Sequence, residues 1–421
     1  MIKKLPFFLT LFLIPFVLTA CTVSDLPVIG QFFKAPAQPV TLTYWGLWED
    51  PKVMKILIDR YQEQNPNVTI NYEDRSVMDL QTYKDRIVSG TGTSADIYRV
   101  HSSWIRAISP SLSPATSEVL SKEEFSQLFY PVMEKNLVLN NEVYGVPLFY
   151  DGLVLVYNRD HFSEIGQNNA PTSWEEFRVL AQDLSIREGN SLIRAGAAMG
   201  ISSNISHASD IVGLLWAQAG VDFPSQLDSR AAADALDFYL NFYRQENVWD
   251  ETFAESKIAF ANEEVSMIFV PSWAILDILN ANPKINLGVA PVPQADTSNP
   301  ATYATYWVEA VSAQSPNKKA AWEFLKYLSS EESQKILYAE NAKIRAFGSP
   351  YSSKNISADL LKDEFLGPVV NTANFAVVQN DLASMAGNNS ITDLFSRAID
   401  LILTKQLTTS ETLTALKDSI R

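Results

Sequence analysis

The sequence predicts an α/β fold whose sheets are open and flanked by helices. Between residues 40 and 100, strand-like and helix-like stretches follow one another in the order strand, helix, strand, helix, strand. This order is typical of an open sheet covered by helices. The chain has 421 residues, 47% of them hydrophobic, and this length favours two domains or lobes.

The first elements can be assigned from periodicity and helix-end signals. Residues 40–44 alternate apolar and polar side chains, as a strand does. Pro51 is suited to the first turn of a helix, and Gly90 to the end of the next one. Strands are expected at residues 68–72 and 95–100. In such a sheet, ligands bind beyond the carboxyl ends of the strands.

A second group of elements surrounds a buried strand in the middle of the chain. Residues 153–157 are almost all apolar, which predicts a strand that is covered on both faces. Asp151 comes just before it and is either a ligand group or a turn residue. Thr172 and Ser173 are both possible helix caps, each with a glutamate three residues on as in a capping box, and a mostly helical region is expected to follow. An apolar strand at residues 265–270 comes later.

Aromatic residues follow several of the predicted strands. Trp45 and Trp48 follow the first, residues 101–104 with Trp104 follow the third, and Trp273 follows the strand at 265–270. A large aromatic ring at such a position packs in the core, binds a partner or lines a cleft.

The amino terminus has the order of a secretory signal. Residues 1–20 carry two lysines, an apolar run and then small residues, and the sole cysteine of the chain, Cys21, follows directly. This order resembles a lipobox, which predicts a signal peptide at 1–20, lipidation of Cys21 and a tether at 21–39. An ordinary signal peptide is the alternative. With a single cysteine, the chain has no internal disulfide.

The charge of the chain argues against nucleic acid as a partner. The formal net charge is −15 and becomes −17 once Lys3 and Lys4 are removed with the signal. An acidic extracytoplasmic protein is repelled by polyanions, so no nucleic-acid partner is expected.

The sequence also lacks the common signatures of enzymes. It has no Gly-x-Ser-x-Gly, His-Glu-x-x-His or glycine-rich phosphate motif. His101, His161 and His207 lie in unrelated segments, so no metal site is predicted, and no cofactor is expected. A distant pair of carboxylates for glycoside hydrolysis stays open as an alternative.

Six motifs together resemble a known family. They are residues 89–96, 144–147, 155–160, 171–177, 265–273 and 315–324. In this order they resemble the extracellular solute-binding proteins of ABC importers, in the carbohydrate-binding group, and the chain is similar to maltose-binding protein. The resemblance implies a two-lobed periplasmic-binding-protein-like fold with the ligand in a cleft between the lobes.

The resemblance also implies lobe boundaries. Residues 40–149 plus 300–346 would form the N-terminal lobe, and residues 150–299 plus 347–421 the C-terminal lobe. The chain would cross between them near residues 149–152, 292–300 and 347–350.

The resemblance implies a set of ligand-binding residues as well. Asp151 corresponds to an acid that contacts a sugar hydroxyl, and Trp273 to a cleft tryptophan. Arg345 either contacts ligand or pairs across the hinge. The expected site consists of Trp45, Trp48, His101, Ser102, Trp104, Tyr150, Asp151, Trp273, Tyr306, Trp307 and Arg345.

The expected function is that of a monomeric receptor, lipid-anchored on the outer face of the cell membrane, that passes a mono- or oligosaccharide to an ABC transporter permease. Two alternatives are a binding protein for a phosphorylated polyol, polyamine or peptide, and an enzyme acting on extracellular glycans.

Overall fold

The computed structural model describes residues 38–90, 95–378 and 391–420. The predicted signal peptide, the lipidation site at Cys21 and most of the tether lie outside these residues. From Val40 onwards the described chain forms one compact unit. Within it, no helix is both long and apolar enough to cross a membrane.

The structure contains short strands and longer helices in alternation. The strands are β1 Val40–Gly46, β2 Val68–Asp74, β3 Ile97–His101, β4 Leu112–Ser113, β5 Val138–Leu139, β6 Glu142–Val143, β7 Leu153–Asn158, β8 Ile186–Glu188, β9 Ser191–Arg194, β10 Met267–Pro271, β11 Leu287–Ala290, β12 Thr302–Tyr303, β13 Trp307–Ser312 and β14 Ala376–Val377. The helices are α1 Pro51–Gln64, α2 Leu80–Ser89, α3 Ile105–Ile108, α4 Lys122–Leu128, α5 Pro131–Leu137, α6 Arg159–Glu164, α7 Trp174–Asp183, α8 Ala208–Gln218, α9 Arg230–Arg244, α10 Ser256–Ala261, α11 Ser272–Ala281, α12 Lys318–Leu328, α13 Glu331–Asn341, α14 Gly367–Thr372, α15 Ile391–Leu403 and α16 Thr409–Ile420.

The larger sheet has the strand order β2-β1-β3-β13-β4. Strand β1 runs parallel to β2 and β3, whereas β13 runs antiparallel to both β3 and β4. The antiparallel β13 begins where β3 ends, so Trp307 lies opposite His101. The predicted α/β fold with open sheets flanked by helices is confirmed.

The second sheet has the order β10-β7-β11, and both of its outer strands run antiparallel to β7. The first four residues of β7 are buried, which confirms the prediction that this strand is covered on both faces. Strand β10 leads directly into α11, so Trp273 lies in the first turn of that helix.

Local sequence signals explain where the helices begin. Asp50 accepts a hydrogen bond from the Lys52 amide before Pro51 starts α1. Of the two possible caps, Ser173 is the one that forms a capping box, with Glu176, at the start of α7. The hairpin of β8 and β9, in contrast, lies in a region that was expected to be helical. Its two strands have no buried residue and therefore leave no clear apolar period in the sequence.

Three chain segments lie side by side where the two sheets are connected. The Tyr150 amide donates to the Pro350 carbonyl at 3.0 Å, and the Thr305 amide donates to the Asp151 carbonyl at 3.0 Å. A Cβ on Gly152 would lie 2.7 Å from the Tyr303 carbonyl oxygen, so this position requires glycine. Ala304 and Thr305, rather than residues 292–300, lie next to the first expected crossing. The lobe boundaries themselves remain a prediction.

Candidate functional site

A large cleft, with a volume of about 1340 Å³, opens where the two sheets meet. It is lined by the loops that follow β1 and β3, by the start of β13, and by the first turns of α8 and α11. The segment from Arg345 to Pro350 also lines it. Elements from both sheets therefore contribute to one concave surface.

Three tryptophans, Trp48, Trp104 and Trp307, form an aromatic group that we call the tryptophan wall. Trp307 meets Trp48 edge to face at a centroid distance of 4.7 Å, and Trp104 in the same manner at 5.5 Å. The His101 ring lies 5.1 Å from Trp307. These side chains meet because the carboxyl ends of β1 and β3 share one edge of the sheet with the start of the antiparallel β13.

Trp48 has an unusual backbone conformation, with φ at +55°. A residue other than glycine is rarely found in this left-handed region and adopts it at a cost in free energy. The Trp48 amide donates to the Ser76 hydroxyl at 2.6 Å. The indole is nevertheless 52% exposed and lines the cleft, so the local backbone presents this ring to the solvent in the cleft.

Trp273 is the aromatic residue of α11 in the cleft, and its side chain is 41% exposed. The His207 ring lies edge to face against it at 5.5 Å, and Lys257 Nζ lies 5.7 Å from its ring centre. His207 Nδ1 is also 2.8 Å from Asp210 Oδ2. His207 and Lys257 thus both contact the Trp273 ring, and a large part of that ring stays exposed in the cleft.

Asp151 lines the cleft but is only 2% exposed. Its Oδ1 accepts hydrogen bonds from the Gly152 amide at 2.7 Å and the Ser272 amide at 2.9 Å. Its Oδ2 accepts from the Ser272 hydroxyl at 2.7 Å and the Trp273 amide at 3.2 Å. Burial raises the pKa of Asp151 to about 6, although these hydrogen bonds favour the ionised form. Protein donors therefore already occupy the acceptor positions expected to bind a sugar hydroxyl.

Buried charges lie at the floor of the cleft. Arg99 Nε donates to Glu309 Oε1 at 2.7 Å, and Arg99 Nη1 lies 3.6 Å from Glu49 Oε2. Glu49 Oε1 accepts from the Asn341 side-chain amide at 2.8 Å. All three charged side chains are at most 3% exposed. Glu49 and Arg99 line the cleft, so a buried ion pair supports its polar base.

Arg345 lines the cleft, and its guanidinium donates hydrogen bonds to residues close by in the sequence. Its Nε donates to the Phe347 carbonyl at 3.0 Å, and its Nη2 donates to the Ser349 hydroxyl at 2.6 Å. Burial lowers the pKa of this guanidinium. These hydrogen bonds from Arg345 stabilise the loop that forms part of the cleft wall.

Four of the expected site residues lie in the core instead of the cleft. Trp45 is 3% exposed, and its Nε1 donates to Glu73 Oε2 at 2.9 Å. β1 continues to Gly46, so Trp45 still belongs to the strand and points away from the cleft that Trp48 reaches. The other three, Ser102, Tyr150 and Tyr306, are each at most 1% exposed.

Strand geometry explains the burial of the tyrosines. Tyr306 and Trp307 are neighbours in sequence and point to opposite sides, so only Trp307 lines the cleft. The Tyr150 ring packs between Tyr130 at 5.1 Å and Tyr306 at 6.3 Å. The expected residues that do line the cleft are Trp48, His101, Trp104, Asp151, Trp273, Trp307 and Arg345; a binding role for them stays a prediction.

Several cleft residues were missed by sequence reasoning. Glu49 directly follows Trp48, and its place in the same loop is a signal that could have identified it. His207 was considered only as a metal ligand, and Thr305 carries no sequence signal of its own. In the described part of the chain, no group of three or more acidic, histidine or cysteine side chains is arranged to hold a metal ion.

Comparisons with known proteins agree with this geometry. Residues 57–357 match the family described as bacterial extracellular solute-binding protein. A relative from Streptococcus mutans named multiple sugar-binding protein is 24% identical over 349 residues, which are 79% of this chain and 80% of the relative.

Two solved structures show the same fold. Maltose-bound MalE3 of T. maritima has a TM-score of 0.69 and 20% identity, covering 90% of this chain and 99% of its own. UgpB of Mycobacterium tuberculosis in complex with glycerophosphocholine has a TM-score of 0.70 and 16% identity, covering 90% and 97%. The family match covers well over half of the sequence and confirms the resemblance based on the six motifs. The chain therefore belongs to the family of bacterial extracellular solute-binding proteins.

Proposed function

We propose that this protein is an extracytoplasmic receptor that binds a mono- or oligosaccharide in the cleft and delivers it to the permease of an ABC importer. It acts as a monomer and binds its ligand without converting it to a product. The protein would alternate between an open and a closed conformation. Sugar binding would favour the closed one, because only in that conformation do both sides of the cleft contact the ligand.

The exposed tryptophan rings of the cleft, Trp48 of the tryptophan wall and Trp273 of α11, are the observation that carries this proposal. A sugar ring has an apolar C–H face that stacks on an aromatic plane and a rim of hydroxyls that need polar partners. Trp48 and Trp273 present exposed rings in the same cleft. Asp277, which follows Trp273 by one turn of α11, adds a carboxylate that is 58% exposed, and a carboxylate makes strong hydrogen bonds to hydroxyl donors.

The charge of the cleft argues against an anionic ligand. Six carboxylates and three basic side chains line it, namely Glu49, Asp85, Asp151, Asp210, Asp277 and Asp393 with Lys84, Arg99 and Arg345. A phosphate ester would meet this excess of acids at a cost in free energy. The same excess favours a polyamine as the second candidate ligand.

A thermal-shift screen of the purified protein tests the proposal. The panel contains neutral mono- and oligosaccharides, polyamines, phosphorylated polyols and peptides. A ligand at about 100 times its Kd adds about 2.7 kcal/mol to the free energy of unfolding, and we expect a neutral saccharide to raise the unfolding midpoint. If only a polyamine or a phosphate ester raises it, the sugar assignment is wrong.

Lipid anchoring is a separate part of the proposal and rests on the sequence at Cys21. We expect Cys21→Ser to move the protein from the membrane fraction to the soluble fraction, because the variant lacks the thiol that carries the lipid. Immunoblots of fractionated cells would measure this. An equal membrane fraction for both proteins would contradict the anchor.

A further inference from the structure

Asp151 connects two parts of the cleft that belong to different sheets. Its carboxylate accepts three hydrogen bonds from Ser272 and Trp273, at the start of α11. Two of the donors are the Ser272 and Trp273 amides of the first turn, which have no partner within the helix itself, and the third is the Ser272 hydroxyl. The residue before the helix, Pro271, provides no side-chain cap. The Asp151 carboxylate, 121 residues away in the sequence, therefore caps the start of α11.

The main chain of Asp151 makes the second connection. Its carbonyl accepts the Thr305 amide at 3.0 Å. The Thr305 hydroxyl lies 3.1 Å from His101 Nε2, and the His101 ring packs 5.1 Å from Trp307. His101 Nδ1 lies 2.8 Å from the Ser103 hydroxyl oxygen and 3.4 Å from the Ser103 amide nitrogen, so both ring nitrogens of His101 have a polar neighbour.

We propose that Asp151 is a positioning residue that orients Trp273 through its carboxylate without contacting the ligand, and that Thr305, held by the Asp151 carbonyl, orients the tryptophan wall through His101. Only one part of this inference rests on the proposed function, namely that these rings bind the ligand. Their orientation can be tested without any ligand, so its failure is distinct from failure of the sugar assignment.

Asp151→Asn is the main test of the carboxylate. The side-chain amide replaces one of the two oxygens with an NH₂ group, which cannot accept from a backbone amide. When the remaining oxygen occupies the Oδ1 position, it still accepts from Gly152 and Ser272. The Ser272 hydroxyl can rotate to accept from the new NH₂ group, but the Trp273 amide loses its acceptor.

Fluorine NMR of the full chain labelled with 5-fluorotryptophan reads out each ring separately. Signals are assigned by single Trp→Phe replacements. In Asp151→Asn we expect the Trp273 signal to move by more than its linewidth, while the signals of Trp104 and Trp307 stay in place because the Asp151 carbonyl is retained.

Thr305→Val tests the other connection. The variant keeps the shape and the backbone amide of Thr305 but removes the hydroxyl that His101 contacts. We expect the Trp104 and Trp307 signals to move while the Trp273 signal is unchanged, which is the reverse of the pattern in Asp151→Asn.

Asp79→Asn is the matched control, because Asp79 also caps a ten-residue helix, α2, through its side chain. It should leave the Trp273 signal in place. An unchanged Trp273 signal in Asp151→Asn, or an equal shift in Asp79→Asn, overturns the proposal. If Asp151→Asn does not fold, Ser272→Ala is measured in its place. This variant removes the hydroxyl that donates to Asp151 Oδ2. A Trp273 signal at its wild-type position would contradict the positioning role.

Discussion

Replacement of Trp273 by alanine is expected to weaken saccharide binding by about 30- to 100-fold, or about 2–3 kcal/mol. The indole is 41% exposed in the cleft and would be covered by a stacked sugar ring. Isothermal calorimetry would measure the change, with the saccharide that gives the largest thermal shift as ligand.

Ile258→Ala provides the control for Trp273→Ala. Ile258 is 55% exposed and does not line the cleft, so its removal should leave the Kd unchanged. Because Trp273 is partly exposed, its loss should reduce the free energy of unfolding far less than the loss of a fully buried tryptophan, such as Trp216. Equal affinity in wild type and Trp273→Ala would remove this residue from the binding site.

Position relative to strand ends made part of the cleft predictable. Trp48 and Trp104 follow β1 and β3, and Trp273 follows β10, so all three were expected at the edge where ligands bind. Periodicity identifies a strand well enough to place the loop behind it. It does not fix the last residue of the strand, which is why Trp45 was expected in the cleft although β1 continues to Gly46.

Sequence patterns could not predict contacts between residues that are far apart in the chain. Asp151 and Ser272 are 121 residues apart, and nothing near Asp151 indicates that its carboxylate is occupied by the first turn of α11. Arg99 and Glu309 are 210 residues apart and lie in the neighbouring strands β3 and β13. Local patterns report propensity and burial, whereas such pairs depend on strand order and register.

The Arg99–Glu309 pair leads to the largest stability effect that we expect. Arg99→Met should reduce the free energy of unfolding by about 3–5 kcal/mol at pH 8, because it leaves the Glu309 carboxylate buried without its counter-ion. The Leu47 carbonyl also loses the hydrogen bond from Arg99 Nη1. Urea denaturation followed by circular dichroism would measure the loss.

Two control variants separate the buried charge from other causes. Lys55→Met breaks an ion pair whose side chains are 69% and 48% exposed, and it should cost at most about 1 kcal/mol. Adding Glu309→Met to Arg99→Met removes one of the two buried carboxylates that lose Arg99, the other being Glu49, and should recover part of the stability. A cost for Arg99→Met as small as that for Lys55→Met would contradict a buried ion pair at the floor of the cleft.

The pH dependence gives an independent check of the same pair. Burial raises the pKa of Glu309 above its ordinary value of 4.5, and the Arg99 charge opposes that rise. Without Arg99, the pKa of Glu309 in the folded state rises further, so the folded variant takes up a proton that the unfolded chain still lacks. Stability of Arg99→Met relative to wild type should therefore increase as the pH falls from 8 towards 5. A constant difference across this range would mean that the lost stability comes from packing rather than from the charge of Glu309.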